Sequence, residues 1–241
     1  NELLGDYRMN AALTMGSPLG LDDHLLAYQF SADTDFAHLM SHSMAYTLPV
    51  YWNEIRPNLH QRHYLTLIGA FATVESDVFI DGQQLSLDGF SGQASMRYLI
   101  PLKRKTGVTR EFELGFDWKT SNNNLEFNTL EVFDTTTHIY QFSMGWNSRY
   151  EQFLGLLGFL SLDLDAVFSP GGFDENNSDE IFDSARGGAE AQYAYGRAGV
   201  EWNIGLDDVN LRDWELIARL TGQIASNNLL ATETLGAGGL D

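Results

Sequence analysis

The sequence predicts an all-β protein, an antiparallel β-barrel that crosses a membrane. Polar and apolar residues alternate with a period of two through most of the 241 residues, which is the pattern of strands with one wet and one dry face. Most alternating segments have eight residues or more. The average strand of a globular protein has about 5–6 residues, and a tilted membrane strand has about 9–11. Aromatic residues crowd the segment ends, as in the interfacial girdles of membrane barrels.

Ten alternating segments are predicted to be strands, and "ELGFDWK" (113–119) shows the pattern most clearly. Its even-numbered residues are apolar, and all its odd-numbered residues except Gly115 are charged. The ten segments are 7–15, 24–31, 38–48, 65–71, 94–100, 113–119, 140–146, 160–166, 191–202 and 214–223.

The first five strands each carry one apolar row. The opening strand ends at the turn "SPLGLDD", because Pro and Gly favour turn conformations. The five rows are Tyr7, Met9, Ala11, Leu13 and Met15; Leu26, Tyr28 and Phe30; Met40, Met44, Tyr46 and Leu48; Leu65, Leu67 and Phe71; and Ala94, Met96, Tyr98 and Ile100.

The last five strands also carry apolar rows, and the wet faces of the sheet carry charges of both signs in mid-strand, such as Arg97, Asp117, Asp163, Arg197 and Arg219. A closed polar lumen pairs such charges across its width, whereas the dry face of a membrane barrel meets lipid. The five apolar rows are Leu114, Phe116 and Trp118; Tyr140, Phe142, Met144 and Trp146; Leu160, Leu162, Leu164 and Ala166; Ala198, Val200 and Trp202; and Trp214, Leu216, Ala218 and Leu220.

The connections alternate in length from residue 103 onward. Residues 103–110, 147–156 and 203–210 are short connections. The long ones are 120–136, 168–190 and the segment from 225 onward, and the acidic stretch 174–186 is predicted to be a solvated loop with room for one helical turn. Membrane barrels have short periplasmic turns and long external loops. We therefore expect the long connections to lie outside.

Composition excludes several function classes. No stretch approaches the roughly 18 apolar residues of a membrane helix, and the mean hydropathy is −0.21. The net charge of −19 disfavours nucleic-acid binding, which needs clustered Lys and Arg. The chain has no cysteine, so disulfides, thiolate metal sites and cysteine nucleophiles are excluded. It starts without Met or a signal-like segment, and we expect it to be part of a longer protein.

Several motifs resemble one family in order and spacing. The C-terminal stretch "LTGQIASNNLLATETLGAGG" resembles the outer-membrane transporters of two-partner secretion, the haemolysin secretion/activation family of the BamA-like superfamily. That family shows a Gly-Gln pair, a Leu-rich stretch, a Glu and a Gly-Gly before a Val-Arg-Gly-Tyr tetrad, which would begin just beyond Asp241. "SPLGLDDHLLAYQFS", "HSMAYTLPV" and "MRYLIPLKR" resemble its second strand, third strand and a later turn, although Ser17 replaces Asn and Asp22 replaces Gly.

The resemblance implies a 16-strand barrel of which this chain supplies roughly the first two-thirds. Periplasmic POTRA domains would precede the chain and the remaining strands would follow it. The implied activity is a pore in the outer-membrane lipid that passes an unfolded, β-rich exoprotein of haemolysin or adhesin type without ATP. No cofactor, metal or catalytic residue is expected.

The resemblance also implies roles for two groups of residues. Charges on the wet faces would line the lumen and either guide the sliding polypeptide or only pair with one another. They are Arg97, Glu113, Asp117, Lys119, Asp163, Asp165, Arg197, Glu201 and Arg219. A loop motif would fold back into the barrel or form only a surface turn, and Gly supplies its backbone freedom. The motif consists of Gln223, Glu233, Gly236, Gly238 and Gly239.

Other function classes stay open at this point. A barrel enzyme or passive porin needs no local motif, and a soluble β-sandwich binding module shares the period-two pattern. A metal site is disfavoured, because His38 and His42 lie about 13 Å apart on a strand and His60 and His63 have no acid at ligand spacing. The acidic run 174–183 lacks the spacing of a calcium loop.

The strand count conflicts with the family pattern, in which the first strand runs outward from the periplasm. Counting back from residue 225 through ten strands makes the first predicted strand run inward. We therefore expect one unrecognised strand before residue 103, within 50–64 or 76–90.

Overall fold

The structure is a computed structural model. It describes residues 7–36, 38–50, 62–80, 83–102, 105–127, 130–153, 158–205 and 214–235. No helix among these residues is long and apolar enough to span a membrane.

The described residues form one sheet of ten strands, in which each strand pairs antiparallel with its neighbour in the sequence. The ten predicted strands are confirmed. They are β1 Arg8–Gly16, β2 Leu25–Asp33, β3 Leu39–Val50, β4 His63–Ile80, β5 Gln83–Pro101, β6 Val108–Phe127, β7 Leu130–Glu151, β8 Gly158–Pro170, β9 Gln192–Gly205 and β10 Glu215–Ala225. One α-helix, α1 (Asp179–Ala185), lies between β8 and β9.

The outward face of this sheet is apolar and uncovered. Directly opposed residues on one face run from Leu67 on β4 through Met96 and Phe116 to Phe142 on β7. Leu67, Met96 and Phe142 are 44%, 45% and 47% exposed, although full burial of such side chains contributes about 1.5–3 kcal/mol each. Within the described residues there is no second sheet to cover them, so the β-sandwich alternative is wrong.

The height of the apolar face matches a bilayer. Tyr140 and Tyr150 lie on the outward face of β7, ten residues apart. At about 3.3 Å per residue and a tilt of about 40°, their separation along the membrane normal is about 25 Å. Trp118 lies directly opposite Tyr140, which places amphipathic rings at one edge of this band, where membrane barrels carry an aromatic girdle.

The prediction that residues 120–136 form a long connection is wrong. β6 continues to Phe127 and β7 begins at Leu130, so most of this segment is paired strand. Its polar residues hide the alternation, yet they bond across the strands: Asn122 donates to Thr136 Oγ1 at 2.9 Å, and the hydroxyls of Ser121 and Thr137 are 3.0 Å apart. With 20 and 22 residues, β6 and β7 are about twice as long as a membrane crossing requires.

The expected additional strand at 76–90 is also wrong. Residues 76–80 complete β4 and 83–90 begin β5, in one continuous hairpin register. Residues 51–61, the other proposed position, lie outside the described residues. The described sheet therefore has ten strands, and β1 runs away from the end at which β10 finishes.

A small apolar core lies where the chain covers the polar face at one end of the sheet. The connection between β8 and β9, predicted as a loop with one helical turn, contains the seven-residue helix α1. Phe182 of α1 is fully buried and belongs to a cluster with Ile139, Tyr193, Leu229 and Leu230. Residues 229 and 230 follow β10, so the core holds two connections against the inner face of β7 and β9.

Candidate functional site

The predicted charged residues share the inner face of the sheet. Directly opposed residues on this face form a row across five strands, namely Glu113, Gly145, Asp165, Arg197 and Gln223. Asp117 and Lys119 follow Glu113 by two-residue steps on β6, Asp163 precedes Asp165 by one such step on β8, and Glu201 lies opposite Arg219. The period-two alternation thus places all nine charges on one face.

Arg97 and Asp117 form an ion pair in the middle of this face, in which one guanidinium nitrogen bonds both carboxylate oxygens. Arg97 Nη2 lies 2.7 Å from Oδ1 and 2.9 Å from Oδ2 of Asp117, which is 2% exposed. Arg97 Nε is also 3.4 Å from Oε1 of Glu113. The guanidinium reaches both acids by crossing Gly115, where a Cβ would lie 2.9 Å from Arg97 Nη1 and would clash with Ser143 Oγ.

The ion pair continues as a chain of buried hydrogen bonds. Gln141 Nε2 donates to Asp117 Oδ2 at 3.1 Å, and Tyr193 Oη donates to Gln141 Oε1 at 3.1 Å. Tyr193 is 2% exposed and Gln141 is 3% exposed. The network therefore joins β5, β6, β7 and β9 through groups whose hydrogen-bonding needs are met away from water.

The segment after β10 lies against the inner face. We call residues 226–235 the strap. Glu233 of the strap is 1% exposed, and its carboxylate accepts bonds from Lys119 Nζ at 2.7 Å and Tyr195 Oη at 3.0 Å. Its backbone carbonyl accepts bonds from Arg197 Nη2 at 2.8 Å and Gln223 Nε2 at 2.9 Å. One strap residue is thus held by four side chains.

The beginning of the strap is held as well. Ser226 N donates to the carbonyl of Ala194 at 2.9 Å, and Ser226 Oγ accepts a bond from Ala194 N at 3.0 Å. Arg186, just after α1, donates to the carbonyl of Leu229 at 2.6 Å. Leu229 and Leu230 are 4% and 6% exposed in the small core. Polar bonds at both ends and apolar burial between them fix the strap.

Four predicted residues meet at the strap, and the others do not. Lys119, Arg197, Gln223 and Glu233 form one cluster. Asp163 and Asp165 lie further along β8 without contacting the strap, and the pair Glu201–Arg219, 2.6 Å apart, lies at the exposed edge formed by β9 and β10. Gly236, Gly238 and Gly239 lie outside the described residues. Sequence reasoning missed Tyr195, although its odd number places it on the same face as Arg197.

A second contact fixes the connection between β8 and β9 to the outward face of β7. Asp174 Oδ2 accepts bonds from His138 Nδ1 at 2.9 Å and Tyr140 Oη at 2.7 Å, and the ring of Phe173 lies 4.8 Å from that of Tyr140. Burial opposes the ionisation of Asp174. The hydrogen bonds from Tyr140 and His138 outweigh it and hold the pKa of Asp174 below its ordinary value.

The described residues contain no group of three or more His, Asp or Glu side chains that could hold a metal ion. The inner face of the sheet carries a row of hydrogen-bonding and charged side chains. Such side chains can bind a polar segment of polypeptide. The strap is itself such a segment, bound through both its side chain and its backbone.

Comparison with known proteins gives the family. The family model "Haemolysin secretion/activation protein ShlB/FhaC/HecB" matches residues 1–241. No curated protein gives a significant sequence match. Among solved structures, CdiB from Escherichia coli is similar in fold, with a TM-score of 0.75 and 14% identity over 99% of this chain and 41% of CdiB. The chain thus spans about two-fifths of the length of that protein. The chain belongs to the haemolysin secretion/activation family of outer-membrane two-partner secretion transporters.

Proposed function

We propose that the chain forms part of an outer-membrane pore that exports a partner exoprotein, of haemolysin or adhesin type, in unfolded form. The observation that carries this proposal is the strap. A polypeptide segment lies along the polar inner face and is held by exchangeable hydrogen bonds to Glu233. A wall that receives one chain segment in this way has the chemistry to receive another.

The proposal gives the two groups of residues different roles. Lys119, Arg197 and Gln223 hold the strap, and Arg97 with Asp117 stiffens the wall beneath it. Glu113, Asp163, Asp165, Glu201 and Arg219 pair with other charges or with water and keep the inner face hydrated. Gly236, Gly238 and Gly239, which lie outside the described residues, are assigned to the same loop motif as Gln223 and Glu233 because Gly supplies backbone freedom.

The proposed pore needs more than this chain. A sheet with two free edges exposes unpaired backbone groups, which lipid cannot satisfy, and β1 and β10 are the edge strands of the described sheet. We propose that further strands of the same protein complete a 16-strand barrel and that POTRA domains on its periplasmic side receive the exoprotein. The family is one of transporters, so no catalytic residue is assigned.

Secretion by the full-length protein tests the proposal. Candidate exoproteins of haemolysin or adhesin type from the same genome are expressed with and without the transporter in a bacterial host. We expect one of them to reach the medium only with the transporter, and the transporter to fractionate with the outer membrane and show heat-modifiable mobility on gels. If none leaves the cell while small sugars cross transporter-containing vesicles freely, the porin alternative replaces the proposal.

A further inference from the structure

The inner face has an uncharged part on β2–β5. Two adjacent rows of directly opposed residues cross this part of the sheet. One is Gln29, Ser43, Ala70 and Gln93, and the other is Ser31, Ser41, Ala72 and Ser91. The first row meets a charge at Lys119, opposite Gln93 on β6, and the second row continues to the uncharged Ser121. Glu233 already pairs with Lys119. We call Gln29, Ser41, Ser43, Ala70, Ala72 and Ser91 the uncharged wall.

The polar side chains of the uncharged wall are available to a ligand. Within the described residues, the side chains of Gln29, Ser41, Ser43 and Ser91 make no hydrogen bond to another protein group, and Gln29 and Ser91 are exposed. The charged part of the inner face differs, because Arg97, Asp117, Lys119 and Arg197 are bound to other groups of the protein.

A cavity lies between the uncharged wall and the strap. Its volume is about 500 Å³, and Thr232 and Glu233 of the strap line it together with the uncharged wall. One residue of extended chain occupies a box of roughly 3.4 by 4.8 by 10 Å, so the cavity accommodates about three residues of a strand. The cavity therefore has the volume for a short extended segment beside the strap while Glu233 stays bound.

We propose that the uncharged wall is the track along which the exported chain slides past the strap. This inference rests on the proposed function and names the surface that its cargo contacts. A serine hydroxyl and a glutamine amide both donate and accept hydrogen bonds, so the wall satisfies the backbone N–H and C=O groups of an extended segment of any sequence. Conduction requires binding that is strong enough for entry and weak enough for release. A wall without charge binds in this way, and it offers no salt bridge that would hold the cargo.

Cysteine crosslinking in the full-length transporter tests the track. The chain has no cysteine, and any cysteine elsewhere in the full-length transporter is first replaced by serine. The single substitutions Ser43→Cys, Ser91→Cys and Ser161→Cys then report one position each. Ser161 is the matched control, because it lies on the same face of the sheet but on the charged part, opposite Glu201. The probe is a synthetic, uncharged peptide of Ser and Val residues with one central cysteine, added under oxidising conditions to vesicles that contain the transporter.

We expect disulfide formation with the peptide to be several-fold greater at positions 43 and 91 than at 161. Equal or greater crosslinking at 161, or none at any position, overturns the track. Heat-modifiable mobility verifies that each variant is folded. Secretion of the exoprotein by the unsubstituted transporter is measured in parallel, because its absence contradicts the proposed function, whereas secretion with crosslinking only at 161 contradicts the track alone.

Discussion

Lys119 Nζ lies 2.7 Å from Glu233 Oε1, although 114 residues separate the two along the chain. The Glu233 side chain is 2% exposed and the Lys119 side chain is 27% exposed. This ion pair joins the middle of β6 to the strap, beyond the end of β10. The strap is therefore held inside by a contact that forms only when β6 and β10 belong to one assembled wall.

Replacing Glu233 by Gln is expected to loosen the strap. The substitution keeps the shape of the side chain but leaves Lys119 without its counter-charge, and removal of one partner of a buried pair costs several kcal/mol. Because Lys119 is partly exposed, we expect a loss of about 1–3 kcal/mol, measured as faster hydrogen exchange in residues 226–235. Arg219→Gln is the control, since the Arg219 side chain is 67% exposed in its pair with Glu201. Unchanged hydrogen exchange in Glu233→Gln would show that the other hydrogen bonds hold the strap without the ion pair.

Replacing Gly115 by Val is expected to displace Arg97 from Asp117. The added side chain would clash with Ser143 Oγ and with the Arg97 guanidinium that crosses Gly115, and overpacking of this kind costs about 1–3 kcal/mol. The measurement is the temperature at which the folded band disappears on gels, which should fall. Gly69→Val is the matched control, because a Cβ at Gly69 meets nothing within 4 Å. Equal effects at both positions would contradict the role of Gly115.

Acid is expected to release the connection between β8 and β9 from β7. The pKa of Asp174 is depressed in the folded protein, so its ionised form stabilises the contact with His138 and Tyr140. This stabilisation is complete above the ordinary Asp pKa of about 3.9 and is lost as the pH falls through the lower, folded value. Protease accessibility of residues 171–178 should therefore rise in acid. Asp174→Asn should abolish this dependence and Glu175→Gln should keep it; the reverse result would exclude Asp174 as the group that titrates.

A charge on the outward face is expected to impair membrane insertion. Leu164 points outward and is 53% exposed, and an arginine at the bilayer midplane on the lipid face costs about 2–4 kcal/mol. Leu164→Arg should therefore lower the yield of folded protein in lipid vesicles. Gln29→Arg should fold normally, because it places the cation on the inner face opposite the uncharged residues Ala12 and Ser43. Normal folding of both variants would mean that the outward face does not meet lipid.

The sequence predicts which face of the sheet each residue occupies better than it predicts where each strand begins and ends. Period-two alternation assigns Phe116 outward and Asp117 inward without further information, because adjacent residues of a strand point to opposite sides. It fails at 121–124 and 134–137, where both faces are polar and only pairing, such as Asn122 with Thr136, marks the strands.

The partners of the strap could not be predicted from local pattern. Only the family resemblance indicates a role for Glu233, and nothing near it in the sequence points to Lys119 or Tyr195. Their meeting depends on the curvature of the assembled sheet and on burial of Leu229 and Leu230. The same holds for Asp174, whose contact with His138 joins residues 36 positions apart.

The strand order has a consequence for how the molecule folds. Every described strand pairs with its neighbour in the sequence, so the wall can grow one hairpin at a time, with little loop-closure entropy lost at each step. The strap is the exception, because its partners come from β6, β9 and β10. The strap can dock only after these strands are assembled. Its docking is therefore a late kinetic step, and the inner face of the newly formed sheet is transiently uncovered.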